Sequence, residues 1–485
     1  MPDKTSVFPV PPSYICPPFS SCRDIAGLRV TVMGLGLHGG GAASARFFAE
    51  CGADVTVTDK KSEQELRPSV EALADLPRLH FVLGTHREED FRNADLVIKN
   101  PGVKFAGNPY LALAPSVETD ISVFLRLSPA KIVAVTGSKG KSSTVSAIHF
   151  GLQKAGVRSF LGGNITVSPL TFLRETGADS VAVLELSSWQ LADLRGRGIL
   201  HPVCAVITPV MPDHQNWYKT MEDYVADKKV IYSGMTADGT LICNFDDEWG
   251  KQFAAETSAG VIWYSAAPFP QQAGIRRGAW LEPGGGFFTD NGAVCRILPA
   301  ETAVPGSHMK TNLLAAGAAL TVLGIAPEKT ACALGAFPGI PHRLEFLCES
   351  GGIKWYNDSA ATIPEAAAGA VRAFREPVVL ICGGTDKNLD FAPLAGAAKK
   401  AKAVILFAGS GTEKLRALLA QENVPYAGPY TGISQAVEAA GQAADAGDAV
   451  VFSPGAASFE YFQNEFDRGS RFKNAVHAYC RTAGK

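Results

Sequence analysis

The sequence predicts an α/β fold in three domains, and three observations carry that prediction. Its 485 residues are enough for about three domains of ordinary size. Two stretches, one near each end, alternate short apolar strands with helical segments in the manner of a doubly wound sheet. Between them a strand runs into the glycine-rich stretch TGSKGKSS at 136–143, and a helical pattern follows at once.

Composition narrows the function classes. Hydrophobic residues make up 46% and charged residues 19%, which supplies globular cores. A formal net charge of −2 leaves no electrostatic footprint for nucleic acid or an anionic membrane surface. The ten cysteines include no C-x-x-C pair. Those in apolar runs, such as Cys204 and Cys382, read as reduced, buried small hydrophobes of a cytoplasmic protein. The longest apolar stretch, LLAAGAALTVLGIA at 313–326, is too short to span a bilayer and suits a core helix. Residues 1–26 are proline-rich and lack the apolar core of a signal peptide, so an extended tail is expected there.

The first domain is expected over 27–129. Strand LRVTVMGLG turns through GLGLHGGG into helix AASARFFAECG and returns as strand DVTVTDKK, a βαβ start to a parallel sheet. Gly34, Gly36 and Gly39 form G-x-G-x-x-G, and Asp59 ends the next strand 20 residues after Gly39, where an acid would meet a ribose. NAD is one ligand for such a turn and another diphosphate is a second. Nothing else in the chain suggests hydride transfer.

The second domain is expected over 130–340. Strand KIVAVTG leads to Gly137, Gly140, Lys141 and Ser142, which match the G-x-x-G-K-[ST] core of a phosphate loop, with a shorter spacing between the glycines than the usual four residues. Glycines let backbone N–H groups face phosphate oxygens, and the helix N-terminus adds its dipole. Lys141 would reach the outer phosphates and Ser142 would ligate Mg2+. The strand SVAVLELSS ends at Glu185, an acid costly in so apolar a run unless paired or metal-bound. Strand PVCAVITPV runs on toward His214, which places this histidine at the same sheet edge. Helix MEDYVADKKVIYSG carries Lys228, by spacing alone a surface lysine. Short strands TLICNFD, GVIWYS, GGFFTD and AVCRIL follow, then helix TNLLAAGAALTVLG. The third domain, over 341–485, repeats the doubly wound pattern through GIKWYND, PVVLICGG, KAVILFAGS and DAVVFSPG.

In order along the chain from residue 27, GLGLHGG, NPGV, TGSKGKSST, GGNI, LELSSWQL, DHQNWY, DYVADKKVIY, PHRLE, NDSAAT, GGTDKNLDF and SPGAASFEYFQNEFDRG resemble the Mur ligases. NDSAAT fits the D-glutamate-adding branch. The resemblance implies a UDP-binding domain, a central ATPase and a C-terminal amino-acid-binding domain. It also implies a cytoplasmic, monomeric enzyme that joins D-glutamate to UDP-N-acetylmuramoyl-L-alanine through an acyl phosphate, with ATP as co-substrate. Two Mg2+ ions, with Mn2+ as alternative, would be held by Ser142, Glu185, His214 and Lys228, the lysine as a CO2-derived carbamate. ATP would meet Gly137, Ser138, Lys139, Gly140, Lys141, Ser142 and Ser143, with His308, Asn312, Arg343 and Asp358. The UDP substrate would meet Gly34, Gly36, Leu37, His38, Asp59, Lys60, Asn164 and His214, so the first glycine turn would hold a uridine diphosphate. The amino acid would meet Thr362, Lys387, Ser458 and Phe466. Catalysis would rest on Lys141, Glu185, His214 and Lys228. Three positions depart from the family pattern. Ala360 stands where lysine is common, Met309 where asparagine follows the histidine, and Glu465-Phe466 reverses an aromatic–acid order. A P-loop kinase or NTPase switch would need no second doubly wound domain, and an oxidoreductase would have to bind a nicotinamide.

Overall fold

The computed structural model describes residues 19–483 apart from 38, 78, 166 and 214–216. His38, His214 and most of the proline-rich tail lie outside the described residues. The tail's end departs from the extended form expected. Cys22–Ile25 is a 3-10 turn whose Asp24 carboxylate accepts from the backbone of Ser20 and Ser21, and Ile25 is buried.

The first sheet is wholly parallel. Its strands are β1 (Arg29–Met33), β2 (Asp54–Asp59), β3 (Leu79–Leu83), β4 (Leu96–Lys99) and β5 (Val117–Glu118), in the order β3-β2-β1-β4-β5. Helices α1 (Gly40–Glu50), α2 (Glu63–Glu71), α3 (Glu88–Arg92) and α4 (Asp120–Leu127) connect and cover it. The order reverses between β1 and β4, which opens a crevice at their C-terminal ends, where ligands of such sheets bind. Serine starts α2 because the Ser62 hydroxyl takes the Glu65 amide while the Glu65 carboxylate takes the Ser62 amide.

The second sheet has nine strands: β6 (Lys131–Thr136), β7 (Ser159–Gly163), β8 (Val181–Glu185), β9 (Cys204–Ile207), β10 (Thr240–Asn244), β11 (Gly260–Ser265), β12 (Arg277–Glu282), β13 (Gly285–Asp290) and β14 (Ala293–Pro299). Their order is β14-β13-β12-β11-β10-β9-β6-β8-β7, and only β12–β13–β14 pair antiparallel. The strands expected over 240–298 therefore extend the main sheet, through β12, whose RGAWLE lacks a clear apolar run. The helices here are α5 (Lys141–Lys154), α6 (Ser188–Leu194), α7 (Met221–Lys228), α8 (Val230–Ser233), α9 (Glu248–Glu256), α10 (Ser307–Val322) and α11 (Pro327–Gly335). The single helix expected over 221–234 breaks at Lys229. Gly151 lets α5 and α10 touch, since a Cβ there would sit 2.4 Å from Leu320 Cδ1.

The third sheet comprises β15 (Glu345–Ser350), β16 (Ile353–Asn357), β17 (Val378–Cys382), β18 (Ala403–Phe407), β19 (Ala427–Tyr430) and β20 (Ala449–Phe452), ordered β15-β16-β20-β17-β18-β19. Only β15 runs antiparallel to its neighbour. Around it lie α12 (Pro364–Ala373), α13 (Ala392–Ala398), α14 (Ser410–Gln421), α15 (Ile433–Ala443) and α16 (Glu465–Ala483). β17 and β20 are buried along their whole length, as parallel strands covered on both faces must be.

The chain divides into two compact units, one reaching Ala300 and including Thr311–Leu334, the other made of Glu301–Lys310 with Gly335 onward. Among the described residues no helix is long and apolar enough to cross a membrane. No described cysteine is in a disulfide, and Cys204, Cys243 and Cys382 are buried as core residues, whereas Cys332 is exposed.

Candidate functional site

In the first unit the phosphate loop leaves β6 and caps α5. Gly137 has φ +141, and a Cβ on it would lie 2.0 Å from Thr208 Oγ1. Gly140 is the N-cap at φ +92, where a Cβ would lie 2.3 Å from Asn312 Oδ1. Both turns thus require glycine for conformation and for space. Asn312 stands against the loop at Gly140. Lys141 Nζ folds back to donate to the carbonyls of Ser138 at 2.9 Å and Gly137 at 3.1 Å. Burial lowers its pKa, while Glu185 and Asp213 hold it up. Ser142 and Ser143 are half-buried in the first turn, and Lys139 is exposed, 3.7 Å from the Asp213 carboxylate.

Lys228 corrects the expectation of a surface lysine. It ends α7 with 1% of its surface exposed. Its Nζ donates to Gly137 O at 2.8 Å and lies 4.3 Å from the centre of the Tyr224 ring, one turn back. Tyr224 Oη is 3.0 Å from Ser138 Oγ, which also receives the Met211 amide. Helix α7 therefore docks on two successive loop residues. Burial pushes the Lys228 amine well below the ordinary lysine range, with the nearby Lys141 charge adding to it. Neither Tyr224 nor Asp213 was singled out from sequence. Their signals are the i, i+4 spacing to Lys228 and the position next to His214.

Glu185 ends β8 on one side of β6, and β9 lies on the other. The ends of β8 and β9 thus flank the phosphate-loop strand at one edge of the sheet, with that strand between them. β9 stops at Ile207, seven residues short of His214. Glu185 is buried. Its Oε1 accepts from Asn164 Nδ2 at 3.0 Å, and its backbone oxygen accepts the Asn164 amide at 2.8 Å. Its Oε2 is buried with no hydrogen-bond partner among the described residues. An unpartnered buried carboxylate oxygen beside a phosphate loop is costly without a cation or donor, so the donor set fits a divalent ion. Among the described residues no three His, Cys, Asp or Glu side chains gather as a ready-made metal site.

At the first sheet, Asp59 Oδ2 accepts the Gly36 amide at 3.1 Å and Oδ1 the Lys61 amide at 3.0 Å. The carboxylate shapes the glycine turn from the neighbouring strand. The close-packing glycine of this turn is Gly41, not Gly39. A Cβ on Gly41 would fall 2.3 Å from Gly34 O, whereas Gly39, at φ +83, has open space around it. Leu37 is 49% exposed and Lys60 is exposed at the end of β2. His86, missed in the sequence, sits near Lys60 and Asp59. Its ring is edge-on to Phe91 and Tyr110, and its Nδ1 is 2.8 Å from Thr58 Oγ1.

The second unit holds the remaining expected residues. The turn before β15 puts His342 and Leu344 at φ +68 and +43, rare for side-chain-bearing residues. Asp358 is buried, with Oδ2 accepting from Ser453 Oγ at 2.6 Å and Oδ1 from the Leu344 amide at 3.1 Å. Burial raises its pKa to about 6 against those bonds and the Arg343 charge. Arg343 and His308 are exposed, and Thr362 is half-buried. Ser458 is buried with no hydrogen-bond partner for Oγ among the described residues. Lys387 is exposed, its Nζ 4.8 Å from the centre of the Phe459 ring. Phe466 is 54% exposed and meets His342 edge-on at 5.5 Å. The Ala360 amide donates to His342 O at 2.9 Å.

Arg468 organises these loops and was not singled out from sequence. It is 1% exposed on α16. Nη1 donates to Ala456 O and Ala457 O, both at 3.0 Å, and Nη2 to Ser359 O at 2.8 Å. Thr385 and Ala457 exchange backbone bonds at 3.0 Å, which brings the Lys387 loop to the Ser458 loop.

Three family models match in sequence order: "Mur ligase MurD-like, N-terminal domain" over residues 28–123, "Mur ligase middle domain" over 135–320, and "Mur ligase, glutamate ligase domain" over 342–455. Proteins named UDP-N-acetylmuramoylalanine--D-glutamate ligase are similar across almost the whole chain. The one from Treponema pallidum is 45% identical, over 93% of this chain and 98% of its own length. The one from Roseiflexus is 40% identical, over 94% and 100%. Among solved structures, a UDP-N-acetylmuramate-alanine ligase from Thermotoga maritima superposes with a TM-score of 0.57 at 17% identity, over 93% of this chain and all of that one. A MurF ligase of the same organism, in complex with ADP, gives 0.51 at 15% identity, over 88% and 95%. These two show a shared fold.

Proposed function

The chain belongs to the Mur ligase family, and from that premise we propose how its residues carry out the family's ATP-dependent amide-bond ligation. The enzyme adds D-glutamate in the synthesis of a peptidoglycan precursor. The acceptor is UDP-N-acetylmuramoyl-L-alanine, carried by the glycine turn and Asp59 of the first sheet.

A carboxylate acylates poorly, so it must first gain a leaving group. ATP passes its γ-phosphoryl group to the alanyl carboxylate, giving ADP and an acyl phosphate. The D-glutamate amine then attacks the carbonyl carbon, and the tetrahedral intermediate expels phosphate as the amide forms. The Gly137–Ser143 backbone holds the ATP phosphates. Lys141 leaves its loop carbonyls to meet the transferring group, where a cation offsets the repulsion between two anions. Ser142, Glu185 and His214 would hold Mg2+, which would supply charge neutralisation for the transferring phosphoryl group. Lys228, whose amine burial makes harder to protonate, would add CO2 with loss of a proton, and the resulting carbamate would be a further anionic metal ligand. Ser458, Lys387, Thr362 and Phe466 hold the amino acid, and His308, Asn312, Arg343 and Asp358 the nucleotide. The enzyme works as a cytoplasmic monomer.

The observation that carries this reading is a phosphate loop flanked by a buried carboxylate oxygen without a partner among the described residues and a buried lysine amine of lowered pKa. The test is incubation with UDP-N-acetylmuramoyl-L-alanine, ATP, Mg2+ and a panel of amino acids, with the product identified by mass. D-Glutamate alone should give a conjugate, and ADP formation beyond one equivalent per enzyme should require both the nucleotide substrate and the amino acid. Continued ADP turnover without an amino acid, or a conjugate with a different one, would refute it.

A further inference from the structure

Lys99 is a buried cation of the first unit that the site residues above do not use. Lys99 ends β4, beside Met33 of β1, and its side chain is 1% exposed. Its Nζ donates to Val103 O at 2.8 Å and Asn100 O at 3.3 Å, and lies 2.7 Å from Asp193 Oδ2. The first two contacts close the Asn100–Val103 turn on itself. That turn borders the glycine loop, because Asn100 Nδ2 donates to Gly34 O at 3.3 Å. The third contact reaches α6, whose chain leaves β8 at Glu185 and is capped by Ser187. Helix α6 thus begins just past Glu185, whose Oε2 has no hydrogen-bond partner among the described residues, and ends against Lys99.

Neighbouring contacts make the connection stiff. Arg197, just past α6, donates to Asp193 O at 2.6 Å and to Val117 O at 2.9 Å, and pairs with the Glu118 carboxylate at 2.8 Å, both side chains fully buried. Asp120 accepts from Ser168 Oγ at 2.8 Å. Burying this many charges is a poor route to stability, since an apolar pair of similar volume does as well or better. Such groups persist where they fix one arrangement among several.

We propose that Lys99 is a positioning residue, which through Asp193 holds the Asn100–Val103 turn against the glycine loop and ties that loop to the strand bearing Glu185. The inference rests on the glycine loop being the site of the nucleotide-linked substrate. It predicts that loss of the pair loosens the grip on that substrate and leaves ATP binding alone.

The test compares Lys99→Met, Asp193→Leu and the double variant, reading thermal unfolding, kcat, and KM for UDP-N-acetylmuramoyl-L-alanine and for ATP. Each single variant strands a buried charge and unfolds at lower temperature. The double variant, with an apolar pair in place of the ionic one, recovers its unfolding temperature. It keeps a KM for the nucleotide substrate raised at least tenfold, with KM for ATP within threefold of the parent. A double variant with the parent's KM for the nucleotide substrate would overturn the positioning role and leave Lys99 structural only. Asp59→Asn tests the site itself. If it leaves that KM unchanged, the nucleotide-site reading falls and the inference with it.

Discussion

Arg468→Met is the sharpest perturbation of the second unit. The guanidinium is 1% exposed and makes three hydrogen bonds to the carbonyls of Ser359, Ala456 and Ala457. Burial pushes its pKa down from the ordinary arginine range to about 10, with the Glu465 charge opposing. That change amounts to about 3 kcal/mol against the cation. Bonds to a charged donor contribute roughly 1.5–3 kcal/mol each. Three of them outweigh the desolvation by an amount on the order of 3 kcal/mol. Methionine fills similar volume, relieves the desolvation and strands the buried carbonyls of Ser359 and Ala456, while Ala457 O keeps the Thr385 amide, so the unit should lose about 3 kcal/mol. Trp355, fully buried on β16, reports its unfolding in urea by fluorescence. The loops at 359–362 and 456–458 should also drift apart, raising KM for D-glutamate about tenfold, or about 1.4 kcal/mol, with KM for the nucleotide substrate unchanged. An Arg468→Met protein with the parent's urea midpoint and KM for D-glutamate would refute both the ledger and the role given to the side chain.

Other outcomes follow from the same geometry. Asp358 is buried and its pKa is raised to about 6, so the folded state holds a proton that the unfolded state releases near 3.8, and stability falls as pH rises through that window. Asp358→Asn should therefore stabilise the second unit by about 1–3 kcal/mol at pH 7 and by little at pH 4, while turnover drops. Equal gains at both pH values in urea titrations would count against this. Lys228→Ala should abolish turnover, bicarbonate should fail to rescue it, and short carboxylic acids should restore part of it. Full activity in that variant would end the carbamate assignment. Gly137→Ala forces a Cβ to 2.0 Å from Thr208 Oγ1 at a φ suited to glycine. It should raise KM for ATP at least tenfold in a coupled ADP assay, and a variant with unchanged KM would show the loop to be more compliant than its packing implies.

Local signals in the sequence were enough to place much of this fold. The phosphate loop was legible because strand, glycines, lysine and helix follow one another within a dozen residues, and Glu185 because its strand is apolar to its last position. The glycine turn at 34–41 was legible as a turn, but its tight contact fell to Gly41. The helix start at Gly40 sets which glycine faces the strand, and G-x-G-x-x-G spacing does not encode that start. Lys228 was misjudged from spacing because its burial comes from α7 lying over the loop, a contact 91 residues away in sequence. Arg468 gave no signal for the same reason, since its partners lie at separations of 11, 12 and 109 residues. β12 was missed because its cohesion comes from neighbours on both sides and not from its own apolar run.

The contacts around Gly137 and Gly140 have a consequence for protein engineering. The space that shapes the loop is set by Thr208, beyond β9, and by Asn312, on α10, positions about 70 and 170 residues downstream. Residues 136–143 transplanted into another strand–helix turn would carry the motif without its mould. A graft that binds ATP would have to bring a hydroxyl at the first position and an amide at the second. Conversely, enlarging Thr208 or Asn312 in this chain would reshape the loop without altering one residue of its signature.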